Sequence, residues 1–142
     1  MVVGMILDRK GGAVVTVERN AQLREAVSLL AVRRIGALPV VEKGRVVGVI
    51  SERDVIYCLE SEGGAALDKI VGEVMTAPAV TVTPDAPILA ALAQMSQRRI
   101  RHLPVVTENR LVGIVSIGDL VQHRIERIEE EASAMRAYIQ SA

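Results

Sequence analysis

The chain is one unit written twice. Residues 16–59 align on residues 81–124 without a gap, at a constant offset of 65, and 16 of the 44 paired positions are identical. The identities include Thr16/Thr81, Val17/Val82, Ala26/Ala91, Arg33/Arg98, Arg34/Arg99, Ile35/Ile100, Leu38/Leu103, Pro39/Pro104, Gly48/Gly113, Ser51/Ser116 and Asp54/Asp119. Upstream, residues 3–7 resemble residues 71–75 at an offset of 68, so the slippage falls around 9–12, which reads as a loop. A solenoid stacks at least about three units, and two units read instead as a pseudo-twofold pair sharing one core. Residues 60–69, with Gly63 and Gly64, read as the linker.

Both copies carry the same local signals. Asn20 and Asp85 are candidate helix N-caps, because each stands just before helical periodicity begins. Leu23, Ala26, Val27 and Leu30 recur at i, i+3, i+4 and i+7, and so do Ile88, Ala91, Leu92 and Met95. Both helices end near the paired arginines. Two short β-rich runs follow, 38–41 and 46–50 in the first copy, 103–106 and 111–115 in the second. Gly44 and Asn109 lie between the runs, where a tight hairpin needs positive φ. A further helix starts near Ser51 and near Ser116. The order per copy is helix, strand, helix, strand, strand, helix, which makes the fold α/β or α+β.

Composition excludes several functions. Seventeen basic residues balance seventeen acidic ones, whereas a nucleic-acid binder shows a basic excess. Phe and Trp are absent, so only Tyr57 and Tyr138 could stack on bases, and the core must be Val, Ile, Leu, Ala and Met. The single cysteine, Cys58, rules out an intramolecular disulfide and fits a reducing compartment. No apolar run reaches the roughly 18 residues needed to span a bilayer, and no secretory leader is visible, so a cytoplasmic protein is expected. His102, His123 and Cys58 stand at unrelated spacings, which argues against a zinc site. No phosphate-cradling glycine loop, nucleophile pair or magnesium ligand set marks an enzyme.

The chemistry-bearing motif is Ser51-Glu52-Arg53-Asp54, repeated as Ser116-Ile117-Gly118-Asp119. It has two readings. One is a capping box, with serine at the N-cap and an acid at N3. The other is a nucleotide clamp: amides at the helix start, aided by the dipole, receive a phosphate, while the carboxylate takes two adjacent ribose hydroxyls.

The repeated pattern T-V, then A, then R-I-x-x-L-P-V-V, then G-x-x-S-x-x-D resembles the cystathionine-β-synthase-type (CBS) domain, present as a stand-alone tandem pair over about residues 3–124. The resemblance implies two β-α-β-β-α domains, packed sheet to sheet about a pseudo-twofold, with two clefts between them. It implies regulatory adenosine ligands: AMP, ADP, ATP, S-adenosylmethionine, NAD(H) or diadenosine polyphosphates. By the same resemblance Asp54 and Asp119 hold ribose, and Ser51 and Ser116 contact phosphate. Backbone at 14–16, including Val15 and Thr16, and at Val80 and Thr81, meets the adenine edge. Gly36, Ala37, Arg101 and His102 line the clefts. The copies differ where selectivity is set, with Arg53 in one and Gly118 in the other. Arg101 or His102 is expected to reach an α-phosphate in the Asp119 cleft, and Gly118 to let that ligand approach the backbone closely.

Expected boundaries are 1–62 for the first domain, 63–69 for the linker, 70–124 for the second domain and 125–142 for a helical extension. After Asp119 and through that extension, Val121, Ile125, Ile128, Ala132, Met135 and Ile139 recur at spacings of 4, 3, 4, 3 and 4. Such a seam, on a helix longer than its own domain covers, points to a homodimer, with packing back onto the same chain as the alternative. The leading function is a nucleotide-sensing regulatory module acting in trans on another protein, since no effector domain is attached. A ligand-free structural dimerisation module is the alternative, and an enzyme with an unrecognised site stands behind both.

Overall fold

A computed structural model describes residues 1–11 and 13–141. The first copy runs α1 (Val3–Lys10), β1 (Val17–Glu18), α2 (Leu23–Arg33), β2 (Ala37–Glu42), β3 (Arg45–Ser51) and α3 (Glu52–Glu62). A 3-10 helix, Gly63–Asp68, leads to the second copy: α4 (Val71–Val74), α5 (Ile88–Arg98), β4 (His102–Thr107), β5 (Arg110–Ser116) and α6 (Ile117–Ser141). The fold is the α/β pair read from the repeat. The expected linker is thus helical, and its Ala66 is fully buried in the first core. The loop expected around 9–12 is helix as far as Lys10, and Gly12 lies outside the described residues.

Each copy folds its strands as a hairpin with a tight turn. Lys43 and Gly44 have φ of 52° and 77°, and Glu108 and Asn109 have 51° and 67°. Positive φ at both central residues matches the right-handed twist of the strands, which explains glycine and asparagine there. The two sheets meet where β3 and β5 pair antiparallel at Arg45 and Arg110, giving the strand order β1-β2-β3-β5-β4. β2 buries Ala37, Leu38, Pro39 and Val40 in succession, and β4 buries Leu103, Pro104, Val105 and Val106. Continuous burial, rather than alternation, marks strands covered on both faces.

The copies exchange their leading helices. Val3 and Ile6 of α1 join Ile88, Met95, Leu103 and Leu120 in the second core. Val71 of α4 joins Leu23, Leu38 and Ile50 in the first. The backbone bonds repeat the exchange: Val3 N–H donates to Ala86 O at 2.9 Å and Val71 N–H to Ala21 O at 2.8 Å. Gly4 N–H reaches Pro84 O at 2.8 Å, and Gly72 N–H reaches Arg19 O at 2.9 Å. A Cβ on Gly72 would stand 2.7 Å from Arg19 Cγ, so glycine permits the approach.

This exchange corrects the expected helix starts. Asn20 and Asp85 cap nothing: α2 begins after Gln22 and α5 after Pro87, and neither N-cap side chain makes a capping bond. The first free amides are met by crossing backbone instead, Leu23 N–H by Lys69 O at 2.7 Å and Ile88 N–H by Met1 O at 3.1 Å. A backbone carbonyl satisfies the orphan donor as a side chain would. Asp85 accepts a hydrogen bond from Thr83.

α6 is one helix of 25 residues. At 1.5 Å rise per residue it extends about 37 Å. Past Leu120 it leaves the core, and its apolar seam is open: Ile125 is 50% and Ile128 49% exposed. Ala142 lies outside the described residues.

Candidate functional site

Both Ser-x-x-Asp turns are capping boxes. Ser51 N–H donates to Asp54 Oδ2 at 2.9 Å, and Asp54 N–H donates to Ser51 Oγ at 3.3 Å. In the second copy the same bonds measure 2.9 and 3.1 Å between Ser116 and Asp119. A third amide is taken as well, Glu52 N–H by Gly36 O at 3.0 Å and Ile117 N–H by Arg101 O at 2.8 Å. The expected cradle of outward amides is therefore largely used up by the fold.

The boxes nevertheless aim their carboxylates at space between the copies. Asp54 borders a cavity of about 480 Å³. Its floor comes from the first copy, Gly36, Ala37 and Ser51, and its far wall from the second, Val80, Arg101 and His102. Arg53 and Arg99 bring two further guanidinium groups to the rim, where Arg53 Nη1 donates to Arg99 O at 3.5 Å. Arg99 turns there because it ends α5 in the left-handed conformation. Ile56 and Tyr57, half or more exposed on α3, supply an apolar side. The cavity thus combines two carboxylates, Glu52 and Asp54, an apolar wall and three guanidinium groups.

Arg101 and His102 were expected beside Asp119, yet they line the cavity of Asp54. The residues before both Leu-Pro pairs, Gly36 and Ala37 with Arg101 and His102, therefore line the same cavity. His102 closes over Gly36 with Glu52: a Cβ on Gly36 would lie 2.8 Å from Glu52 Oε1 and 3.0 Å from His102 Cε1. Burial, with Lys10 nearby, holds the His102 imidazole below its ordinary pKa, despite Asp119 and Glu52.

Asp119 borders a smaller crevice of about 220 Å³ between α1 and α6. Lys10 Nζ donates to Asp119 Oδ2 at 2.8 Å and to Ile114 O at 3.1 Å. Burial alone would raise the Asp119 carboxyl, but the bonds from Lys10 and Ser116 outweigh it and hold it below the ordinary value. Of the remaining expected residues, Val15 packs at the edge of the first core. Thr16, Thr81, Ser116 and Gly118 line neither this crevice nor the Asp54 cavity. A Cβ on Gly118 would meet only Ser116 Oγ, at 3.6 Å, so no tight packing requires glycine there.

Several residues were not read from the sequence, among them Glu52, Ile56 and Tyr57 on the cavity wall. Thr76 donates its hydroxyl to Asp54 Oδ1 at 3.0 Å, Arg99 lies on the cavity wall, and Lys10 holds Asp119. Extending the offset of 68 by three residues pairs Lys10 with Pro78, which lines the Asp54 cavity, and that register is the signal for Lys10.

One β-α-β-β-α copy and a second whose expected first strand is reduced to the single parallel bridge between Val82 and Val105 trade helices across a pseudo-twofold, each with a capped Ser-x-x-Asp turn at the boundary, and define a paired regulatory module. The CBS domain model matches residues 3–61 and 71–126, and the chain belongs to the CBS domain family. It is 37% identical over 122 residues to the CBS domain-containing protein YhcV of Bacillus subtilis, covering 86% of each chain. It is 36% identical over 121 residues to the mitochondrial CBS domain-containing protein CBSX3 of Arabidopsis thaliana, covering 82% of this chain but only 59% of that one. Among solved structures, it matches the CBS domain pair of protein MJ0100 in complex with 5-methylthioadenosine and S-adenosyl-L-methionine. That match has a TM-score of 0.79 and 29% identity, and covers 89% of this chain and 98% of the other. Among the described residues, no helix is long and apolar enough to cross a membrane.

Proposed function

We propose that the chain is a regulatory adenosine-ligand sensor that binds AMP, ADP or ATP, NAD(H) or S-adenosylmethionine in its inter-copy clefts. It acts as a homodimer, without catalysis, and signals in trans to a partner protein. The observation that carries this reading is that Asp54 lines the 480 Å³ cavity together with Arg53, Arg99 and Arg101. Ligand pockets of roughly 300–1,000 Å³ are the usual range. A carboxylate with acceptor capacity left suits ribose hydroxyls, guanidinium forks suit phosphate oxygens, and the Ile56–Tyr57 side suits a base. The methylthioadenosine and S-adenosylmethionine complex of MJ0100 supports an adenosyl ligand here.

Calorimetric titration with AMP and 2′-deoxy-AMP tests it. The native protein should discriminate against the deoxy ligand, and Asp54→Asn should weaken AMP while narrowing that discrimination. Equal deoxy penalties in both proteins would show that Asp54 does not read ribose.

The second reading, a ligand-free structural dimerisation module, is favoured by the complete capping boxes and the exposed seam of α6. A thermal-shift panel of adenine nucleotides separates the two. A ligand at 100 times its dissociation constant adds about 2.7 kcal/mol to native stability, whereas a structural module shows no shift.

A further inference from the structure

Helix α6 has two opposite faces. At about 100° per residue, Asp119, Leu120, His123 and Glu126 turn to one side. Leu120 is fully buried there, and the other three line the crevice against α1. Arg9 of α1 holds that face through Glu126 at 2.7 Å. Val121, Ile125, Ile128, Met135 and Ile139 turn to the other side, and all are exposed. The apolar seam therefore points away from both cores of its own chain.

The charges beside the seam select what covers it. Ile125, Ala132 and Ile139 take the a positions of a heptad, and Val121, Ile128 and Met135 the d positions. Arg124 and Glu131 then stand at g, and Glu129 and Arg136 at e. In a parallel pair of helices each g residue faces the e residue five positions further along its partner. Arg124 would face Glu129 of the partner subunit, and Glu131 would face Arg136 of the partner subunit. Symmetry doubles both pairs, and all are of opposite charge. An antiparallel pair that lays 121 against 139 opposes g to g and e to e. Glu131 and Glu129 would then each meet their own counterpart, and like charges so placed destabilise about as much as opposite ones stabilise. Arg124, Glu129 and Arg136 form no ion pair among the described residues, and Glu131 meets only Arg127, at 3.9 Å.

We propose that α6 pairs with α6 of a second copy as a parallel, in-register coiled coil, selected over the antiparallel arrangement by Arg124 facing Glu129 and Glu131 facing Arg136 across the seam. The inference rests on the homodimer reading and adds the orientation and register of its partner. Each seam residue meets its own counterpart, so the twofold runs along α6 and the second domains of the two subunits stand side by side.

Disulfide cross-linking of the full chain reads the orientation. Cys58→Ala removes the single native thiol, and Val121→Cys or Ile139→Cys is then introduced alone. Both sites are exposed, and circular dichroism checks that the variants fold. In a glutathione redox buffer each variant should cross-link to itself, and an equimolar mixture should give no disulfide between 121 and 139. In the antiparallel register, position 139 lies about 27 Å along the axis from its counterpart, so only the mixture would cross-link. Charge reversal gives an independent reading. Arg124→Glu should weaken the dimer about tenfold in sedimentation equilibrium, because two attractive pairs become repulsive, and adding Glu129→Arg should restore it.

A disulfide between 121 and 139 without the self-pairs overturns the parallel coil and leaves the homodimer standing. A dimer in which no variant cross-links, alone or mixed, has its interface away from α6 and also overturns it. If Arg124→Glu leaves the dimer unchanged, or Glu129→Arg fails to restore it, these charges do not face each other and the proposal fails. A native protein that is monomeric at micromolar concentration removes both the coil and the homodimer.

Discussion

The amide of Ile88 donates to the carbonyl of Met1 at 3.1 Å, so the first residue of the chain caps a helix of the second copy. Helix α1 is consequently part of the second core, with Val3 fully buried and Ile6 6% exposed. Ile6→Ala should cost about 2–5 kcal/mol, the range for emptying a buried isoleucine site. Hydrogen exchange locates the damage. Amides of Val105 and Val115 should lose protection before those of Val40 and Ile50, and the reverse order would deny the exchange of helices.

Asp54 and Asp119 separate cap from clamp. Asp→Asn at either position keeps the serine bonds of the box and should cost about 1 kcal/mol or less in stability. Bonds to a charged group are worth about 1.5–3 kcal/mol. Asp54→Asn should therefore weaken AMP in its cavity by about tenfold or more, read by calorimetry, and Asp119→Asn should do so in the other cleft. Unchanged affinity in both variants would leave these residues as caps alone.

Acid should destabilise the fold through His102 before it reaches the carboxylates. Lys10, Asp119, Glu52 and Arg101 are the charged groups acting on the imidazole, and burial first, then Lys10, hold its folded pKa below the ordinary 6.5. The unfolded chain then binds more protons between the two values. The contribution is complete above about 6.5 and is lost as pH falls through the folded value. Between about pH 7.5 and 5.5 the urea midpoint of the native protein should drop more than that of His102→Gln, since only the native protein carries this titration. Asp119 adds a second, lower step: its depressed carboxyl stabilises above the ordinary carboxylate range, and that is lost as pH falls through the folded value.

The α6 seam predicts the assembly. Ile125, Ile128, Met135 and Ile139 stand in water, each about half or more exposed. Native protein should scatter light as a dimer at micromolar concentration, and Ile125→Glu with Ile128→Glu should scatter as a monomer with an unchanged circular dichroism spectrum. A monomeric native protein would leave the seam without the second copy proposed for it.

The amino-acid sequence alone determined everything that depends on near neighbours. Helical periodicity placed Leu23, Ala26, Leu30 and Ile88, Ala91, Met95 in the cores. Turn chemistry placed the hairpins at Gly44 and Asn109, and the three-residue reach of a side chain made both Ser-x-x-Asp boxes legible. Tertiary structure alone decided what crosses between the copies. The caps of α2 and α5 come from Lys69 and Met1, the second hold on Asp119 comes from Lys10, and Arg101 and His102 serve the cavity of Asp54. Periodicity and motif spacing record contacts within about a helical turn or a tight hairpin. They carry no record of which copy a helix packs against, because an apolar face of the same size satisfies either core. That choice rests on backbone bonds formed only once both copies are folded and facing each other.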